Sequence, residues 1–377
     1  MTESHSSFRL HQKLNGKIYI KSKVKLNTRK ILSLLYTPGV ADIVKYIKSH
    51  QHAIFDLTIK KNTVAVISDG SAVLGLGNAG ADAALPVMEG KCAIFNEFAS
   101  INAFPICLKT QNTDEIIFII KNISPVFGAI NLEDISAPRC FEIEKNLQTM
   151  DIPVMHDDQH ATAIAVLAGL LNATKIVGKK LQKCKTVIVG CGAAGTAISY
   201  LLNFAGIEDI IISDSQGIIS GNRIDIHTYK KELLDFTNKR NLVGNISQAV
   251  INADILIGVS VKGIFTKRII KSMNENPIVF ALANPEPELN PVDAKSWGVK
   301  VYASGRSDYR NQINNALVFP GFFKGLLESK NKKVTFERKI KAAMALASIV
   351  KHPTPGYFIP SIFNKCVVPS IERSIKE

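Results

Sequence analysis

The chain has 377 residues, of which 46% are hydrophobic and 21% charged, and its formal net charge is +14. That length suggests two domains, with three possible, and the composition is that of an ordinary globular protein with ample material for cores. The basic excess draws in anions, but the lysines are dispersed, with no compact basic block and no aromatic-interleaved motif for bases, so no nucleic-acid partner is expected.

The first forty residues are polar and basic and do not read as a secretory leader. "YTPGVA" places Tyr36 before a Thr-Pro-Gly turn. Such a tyrosine ordinarily packs its ring and leaves the hydroxyl at the surface, though a phenol can also act as an acid. "TVAVIS" reads as a strand, and "AALPVMEGKCAIFNEFA" as a helix carrying Lys91 in apolar company. Spacing alone favours a lysine that snorkels to solvent. Beside a divalent cation, burial and like charge would instead disfavour the ammonium and leave a base.

"FPICL", "AINL" and "IPVM" are the next strands. "AINL" ends in Glu133 and Asp134, and "IPVM" runs into His156-Asp157-Asp158-Gln159-His160. In parallel sheets ligands sit outside the carboxyl ends of strands, so the two acidic pairs can share one crevice. Singly, Asp134 or Asp158 reads as a helix N-cap. Together the acids call for a cation, and oxygen-only ligands select Mg²⁺ or Mn²⁺ over zinc. His156 and His160 are spaced i, i+4, but the first ends a strand and is followed by aspartate. The H-E-x-x-H zinc pattern therefore fails, and both read as structural hydrogen-bonding groups.

A helix from about Gln159 to Val177 links the halves. Its apolar run "AIAVLAGLLNA" is too short to span a bilayer, so no membrane partner and a cytoplasmic location are expected. "TVIVG" then opens a strand, a glycine turn and a helix with Gly190, Gly192 and Gly195 in G-x-G-x-x-G, enclosing Ala193 and Ala194. The helix N-terminus suits a pyrophosphate. "DIIIS" leads to Asp214 at the distance expected for an acid that accepts the ribose hydroxyls, which favours NAD over NADP, since no arginine immediately follows it. "DILIGVS", "PIVFALA" and "VYASG" are further strands, and the tail from about Phe336 reads as two helices broken by "HPTPGYFIP". The six cysteines show no C-x-x-C spacing and read as reduced residues. The fold class expected is α/β: an N-terminal α/β domain over 1–158, then a Rossmann-type doubly wound domain with C-terminal helices over 159–377.

"YTPGVA", "VISDGSAVLGLGNAGADAALPVMEGKCAIF", "INLEDISAPRCFEIE", "IPVMHDDQHATA", "VGCGAAG", "FALANPEPE" and "SGRSDYRNQINNALVFPG" together resemble the short bacterial and archaeal malic enzymes, in the family's order and over nearly the whole chain. The resemblance implies oxidative decarboxylation of malate to pyruvate and carbon dioxide with NAD or NADP and a divalent metal. It places metal ligands at Glu133, Asp134 and Asp158, with Asp157 as a supporting acid. It places the general base at Lys91, the general acid at Tyr36, and substrate contacts at Asn284, Asn314 and Asn315, Asn284 also adjoining the cofactor. A homodimer is implied as well. Departures stand at Asn78, Ala161 and Arg310, where the family usually has aspartate, glycine and proline. Alternatives are a malolactic-type decarboxylase and a catalytically weak, NAD-binding regulatory homologue.

Overall fold

The computed structural model describes residues 3–329 and 333–376. Runs rich in Val and Ile form two parallel sheets. In the first, β1 (Thr63–Ser68), β2 (Asn102–Cys107), β3 (Ala129–Leu132) and β4 (Val154–His156) lie in the order β2-β1-β3-β4. The second comprises β5 (Lys185–Val189), β6 (Asp209–Asp214), β7 (Gly217–Ile218), β8 (Ile255–Gly258), β9 (Ile278–Ala281) and β10 (Val301–Ser304), ordered β10-β9-β8-β5-β6-β7. β7 alone is antiparallel, a two-residue addition too short for periodicity to announce. Around β5 the order runs outward both ways, and this reversal is the switch point where α/β sheets bind ligands.

The helix Asp157–Val177 joins the sheets and is buried along most of its length. It packs against the helices Ala193–Phe204 and Phe336–Ser348, and Asn172 Nδ2 donates to the carbonyls of Ala347 and Phe358. By length and composition it is long and apolar enough to cross a membrane, although its apolar run "AIAVLAGLLNA" alone is not. Its apolar surface is spent on the protein core instead. The tail forms the two expected helices, Phe336–Ser348 and Val367–Lys376. The second packs on Phe319–Glu328, which in turn meets the Ala81–Ala99 helix of the first unit.

Residues 6–59 contrast with this core, for none of them is buried. Their helices Arg29–Leu35 and Val40–Ser49 contact chiefly each other and the neighbouring short turns. Leu34, Tyr36 and Val44 stand 65%, 65% and 61% exposed, more than an arm of this length retains when covered.

Candidate active site

Parallel pairing of β3 with β1 and β4 brings Glu133 and Asp134, just past β3, beside Asp157 and Asp158, just past β4. Glu133, Asp134 and Asp158 each offer an oxygen, and these atoms lie within 4.8 Å of one another. Neither Asp134 nor Asp158 caps a helix. His156 is the N-cap of Asp157–Val177, and Asp158 Oδ2 accepts the Asp134 backbone N–H at 2.8 Å. Asp134 itself takes φ +53°, a left-handed conformation costing roughly 1–2 kcal/mol. Its loop is held by Ala72, whose N–H donates to the Asp134 carbonyl at 2.9 Å, and by Ser136, whose N–H donates to Ser71 Oγ at 2.9 Å. Asp69 pins Ser71 in turn and pairs with Arg139 at 2.8 Å.

Lys91 projects from the Ala81–Ala99 helix into the acids, 2.6 Å from Asp157 Oδ2 and 2.7 Å from Glu133 Oε1. Its Nζ lies 4.3 Å from the centre of the Phe319 ring. Burial pulls the Lys91 ammonium toward neutrality, but Asp157, Glu133 and Asp158 outweigh it and hold the group above its ordinary pKa. The snorkelling reading thus fails. In the protein alone this lysine is a buried cation, and a neutral base requires a second cation to relieve the acids. Burial also pushes the carboxylates up: Asp157 to about 7, and Glu133, Asp134 and Asp158 upward with mutual repulsion adding to the effect. Four acids against one ammonium leave a surplus of negative charge, and Asp134 Oδ2 and Asp157 Oδ1 are buried with no partner. An all-oxygen donor set of this kind, with an orphaned carboxylate oxygen, fits a hard divalent cation.

The second unit closes over this cluster. A Cβ added to Gly75 would overlap the carbonyl oxygen of Asn284, so the loop tied to Asp134 through Ala72 lies directly against the loop after β9. Asn314 caps the turn Asn315–Leu317 by accepting the Ala316 N–H at 2.8 Å, and that turn leads into Phe319 beneath Lys91. Asn284 therefore stands on a loop packed against the loop of Gly75, and Asn314 and Asn315 open the turn that leads to Phe319. Tyr36 lies on the exposed arm, and among the described residues no hydrogen bond or ring contact joins it to Lys91. Asn78 forms a reciprocal amide pair with Gln111, at 2.9 and 3.2 Å. Ala161 is fully buried.

At the dinucleotide turn, Gly190 takes φ +113°, and a Cβ on Gly195 would overlap the Gly190 carbonyl oxygen. Gly192 caps the Ala193–Phe204 helix without a side-chain acceptor, leaving the first-turn N–H groups of Ala193 and Ala194 to a ligand. Asp214 ends β6 as expected, but its neighbourhood was not legible from the residues next to it. Arg223 Nη1 donates to Oδ1 at 2.7 Å, Lys230 Nζ to Oδ2 at 2.6 Å and the Gln216 N–H to Oδ1 at 2.9 Å. Burial opposes these contacts, yet they prevail and hold the carboxyl below its usual range. A cavity of about 150 Å³ is lined by Phe141, Gln159, His160, Thr196, Tyr200 and Lys339 among others.

The two histidines behave differently from each other. His160 is hydrogen-bonded on both ring nitrogens, whereas the wholly buried His156 ring has no partner on either. Burial lowers the pKa of both.

Comparison with known proteins gives the family. The family described as "Malic enzyme, N-terminal domain" matches residues 14–148, and "Malic enzyme, NAD binding domain" matches residues 159–366. A NAD-dependent malic enzyme of Geobacillus stearothermophilus is 51% identical over 99% of this chain and 78% of its own length. A bifunctional malic/malolactic enzyme of Bacillus subtilis is 46% identical over 100% of this chain and 92% of its own. The crystal structure of a NAD-dependent malic enzyme from Thermotoga maritima superimposes with a TM-score of 0.95 at 43% identity, covering 98% of both chains. The fold is that of the two-domain malic enzymes, an α/β architecture with a Rossmann-type second unit, and the chain is a member of the malic enzyme family of oxidoreductases.

Proposed function

We propose that the protein oxidatively decarboxylates malate to pyruvate and carbon dioxide, reducing NAD in preference to NADP, with Mg²⁺ or Mn²⁺ bound at Glu133, Asp134 and Asp158. The observation that supports this most is the convergence of those three carboxylates beside the buried Lys91. When bound, the cation supplies Lewis acidity and positive charge for an α-hydroxy carboxylate, and the nicotinamide accepts a hydride. Lys91, relieved of its acidic neighbours, takes the proton of the C2 hydroxyl at Nζ. Asp157, 2.6 Å away, orients that nitrogen and offsets the positive charge it gains on becoming an ammonium again. Asn284, Asn314 and Asn315 hold the substrate's carboxylates and the carboxamide end of the cofactor. Phe319 and the closing loops exclude water from Lys91. Tyr36 returns a proton to C3 after carbon dioxide leaves.

The dinucleotide lies on Gly190, Gly192, Ala193, Ala194 and Gly195, with Asp214 at the adenosine ribose. The domains divide at 158/159, and the compartment is the cytoplasm. The working form is a homodimer: the protomer exposes 19281 Å², whereas a compact monomer of this mass exposes about 14,700 Å². Covering about half of that difference on each protomer would bury a total in the range of a permanent interface. The arm that carries Tyr36 is part of that surplus, so the tyrosine's role depends on how the arm is covered.

An assay with malate, Mn²⁺ and each dinucleotide tests the reading. NADH absorbance with stoichiometric pyruvate is expected. Lactate formed without NADH release would favour malolactic chemistry, the second activity in the name of the Bacillus subtilis relative. Dinucleotide binding without turnover would identify a regulatory homologue.

A further inference from the structure

Two buried charged groups and a half-buried histidine, from three separate helices, form one hydrogen-bonded chain behind the carboxylate cluster. Glu144 stands on the helix Arg139–Leu147, His160 in the first turns of Asp157–Val177, and Lys339 on Phe336–Ser348. Glu144 and Lys339 are 8% and 5% exposed. His160 Nε2 lies 2.9 Å from Glu144 Oε2, and Lys339 Nζ lies 2.9 Å from His160 Nδ1. A carboxylate can only accept and an ammonium can only donate. The ring must therefore carry its proton on Nε2, donate it to Glu144, and accept from Lys339 on Nδ1.

Glu144 does more than hold the ring. Its Oε1 accepts the His156 backbone N–H at 2.8 Å, and its Oε2 also accepts from Gln159 Nε2 at 3.3 Å. One carboxylate thus grips the residue before Asp157-Asp158 and the two residues after it. The His156 ring makes no hydrogen bond, its Nε2 lying 4.0 Å from Asp158 Oδ2, so this grip on the backbone adds to the contacts that Lys91 and the Asp134 N–H make with Asp157 and Asp158. A buried carboxylate so placed needs a counter-charge, and Lys339 supplies it through His160.

We propose that Glu144 and Lys339 are positioning residues that set the direction in which Asp157 and Asp158 leave the helix, and so the affinity of the carboxylate cluster for its divalent cation. Neither touches substrate, cofactor or ion; both act through the backbone and ring that bracket the acids. The inference rests on the metal reading above and adds that the helix Phe336–Ser348, distant in sequence, takes part in metal binding.

The test measures Mn²⁺ binding directly, by electron paramagnetic resonance of free Mn²⁺, on the full chain without malate or dinucleotide. Glu144→Gln is expected to weaken binding about 10- to 100-fold, the usual cost of losing an outer partner of a metal ligand, and Lys339→Met about 10-fold. The double variant is expected to bind no worse than Glu144→Gln alone, because removing both charges strands neither. At saturating Mn²⁺ the turnover of each variant returns toward wild type, a split between affinity and rate that a general folding defect does not produce. Wild-type Mn²⁺ affinity in folded Glu144→Gln or Lys339→Met overturns the proposal, as do losses that simply add in the double variant. Lys339→Met, far from the acids, carries the test if Glu144→Gln does not fold. A wild-type chain that binds no Mn²⁺ overturns the metal reading itself, and this inference with it.

Discussion

Replacing Lys91 by alanine separates two roles that one side chain performs. Without a bound cation, Lys91 is the ammonium that bridges Asp157 and Glu133, at 2.6 and 2.7 Å, with all three side chains buried. Removing one partner of such a buried pair costs about 3–5 kcal/mol. At about 2–4 °C per kcal/mol, the melting temperature of the EDTA-treated variant should fall by roughly 6–20 °C. Mn²⁺ replaces the missing positive charge, so its addition should return most of that loss. The proton acceptor is not replaced, and a positioned base is worth about 10²- to 10⁴-fold in rate. Calorimetry with and without Mn²⁺, beside the initial rate of NADH formation from malate, reads both effects on one sample. Thermal recovery without recovery of turnover, and with NAD affinity near normal, is expected. A variant that keeps more than about a tenth of wild-type turnover places the base elsewhere, and the reasoning from proton-transfer magnitudes falls.

The same electrostatics fixes a pH dependence. Burial raises Asp157 to about 7 and raises Glu133, Asp134 and Asp158. A carboxyl raised in the folded state contributes stability below its unfolded pKa near about 4 and loses it as pH rises through the folded value. The metal-free protein should therefore melt higher at about pH 5.5 than at about pH 8, with Mn²⁺ reducing the difference, and calorimetry showing the opposite slope would contradict this. Glu144, held at about 2 by His160 against its burial, titrates below that window. Asp214→Ala should weaken NAD far more than NADP, since it frees Arg223 and Lys230 for a 2′-phosphate, and the ratio of kcat/KM for the two cofactors should move toward NADP by about tenfold or more. Equal loss for both would undo the cofactor assignment. Leu34→Glu with Val44→Glu places charges on the exposed arm and should convert a dimer to a monomer by sedimentation, whereas a wild-type chain that sediments as a monomer would refute the dimer. Tyr36→Phe should lower turnover while leaving Mn²⁺ and NAD binding unchanged, and a variant of full activity would remove the tyrosine from the proton path.

Much of this site was legible because its parts are local. Glu133-Asp134 and Asp157-Asp158 each follow a continuous apolar strand, and parallel sheets put such ends side by side. The glycine turn was legible for the same reason, since strand, turn, helix and Asp214 are consecutive. What stayed hidden depends on contacts between distant segments. Nothing near Lys91 in the chain announces Phe319, and nothing near Asp158 announces Lys339. Arg223 and Lys230 reach Asp214 from 9 and 16 residues away, so the search for an arginine just after the acid missed them. The long helix begins at Asp157, two residues before the expected start at about Gln159. An N-terminal first turn in fact favours carboxylates, through its unpaired N–H groups and the helix dipole. Glu144 carried one faint signal, an acid at a buried position of an amphipathic helix, which asks for a partner without naming it.

Anomalous diffraction from a crystal soaked in Mn²⁺, recorded at the manganese edge, tests most directly whether one ion is shared by acids from two strands. A single strong peak with carboxylate oxygens of Glu133, Asp134 and Asp158 all about 2.0–2.3 Å away is expected, as oxygen ligands hold such an ion. A peak lying elsewhere, or no peak in a chain that still oxidises malate in EDTA, would contradict the account.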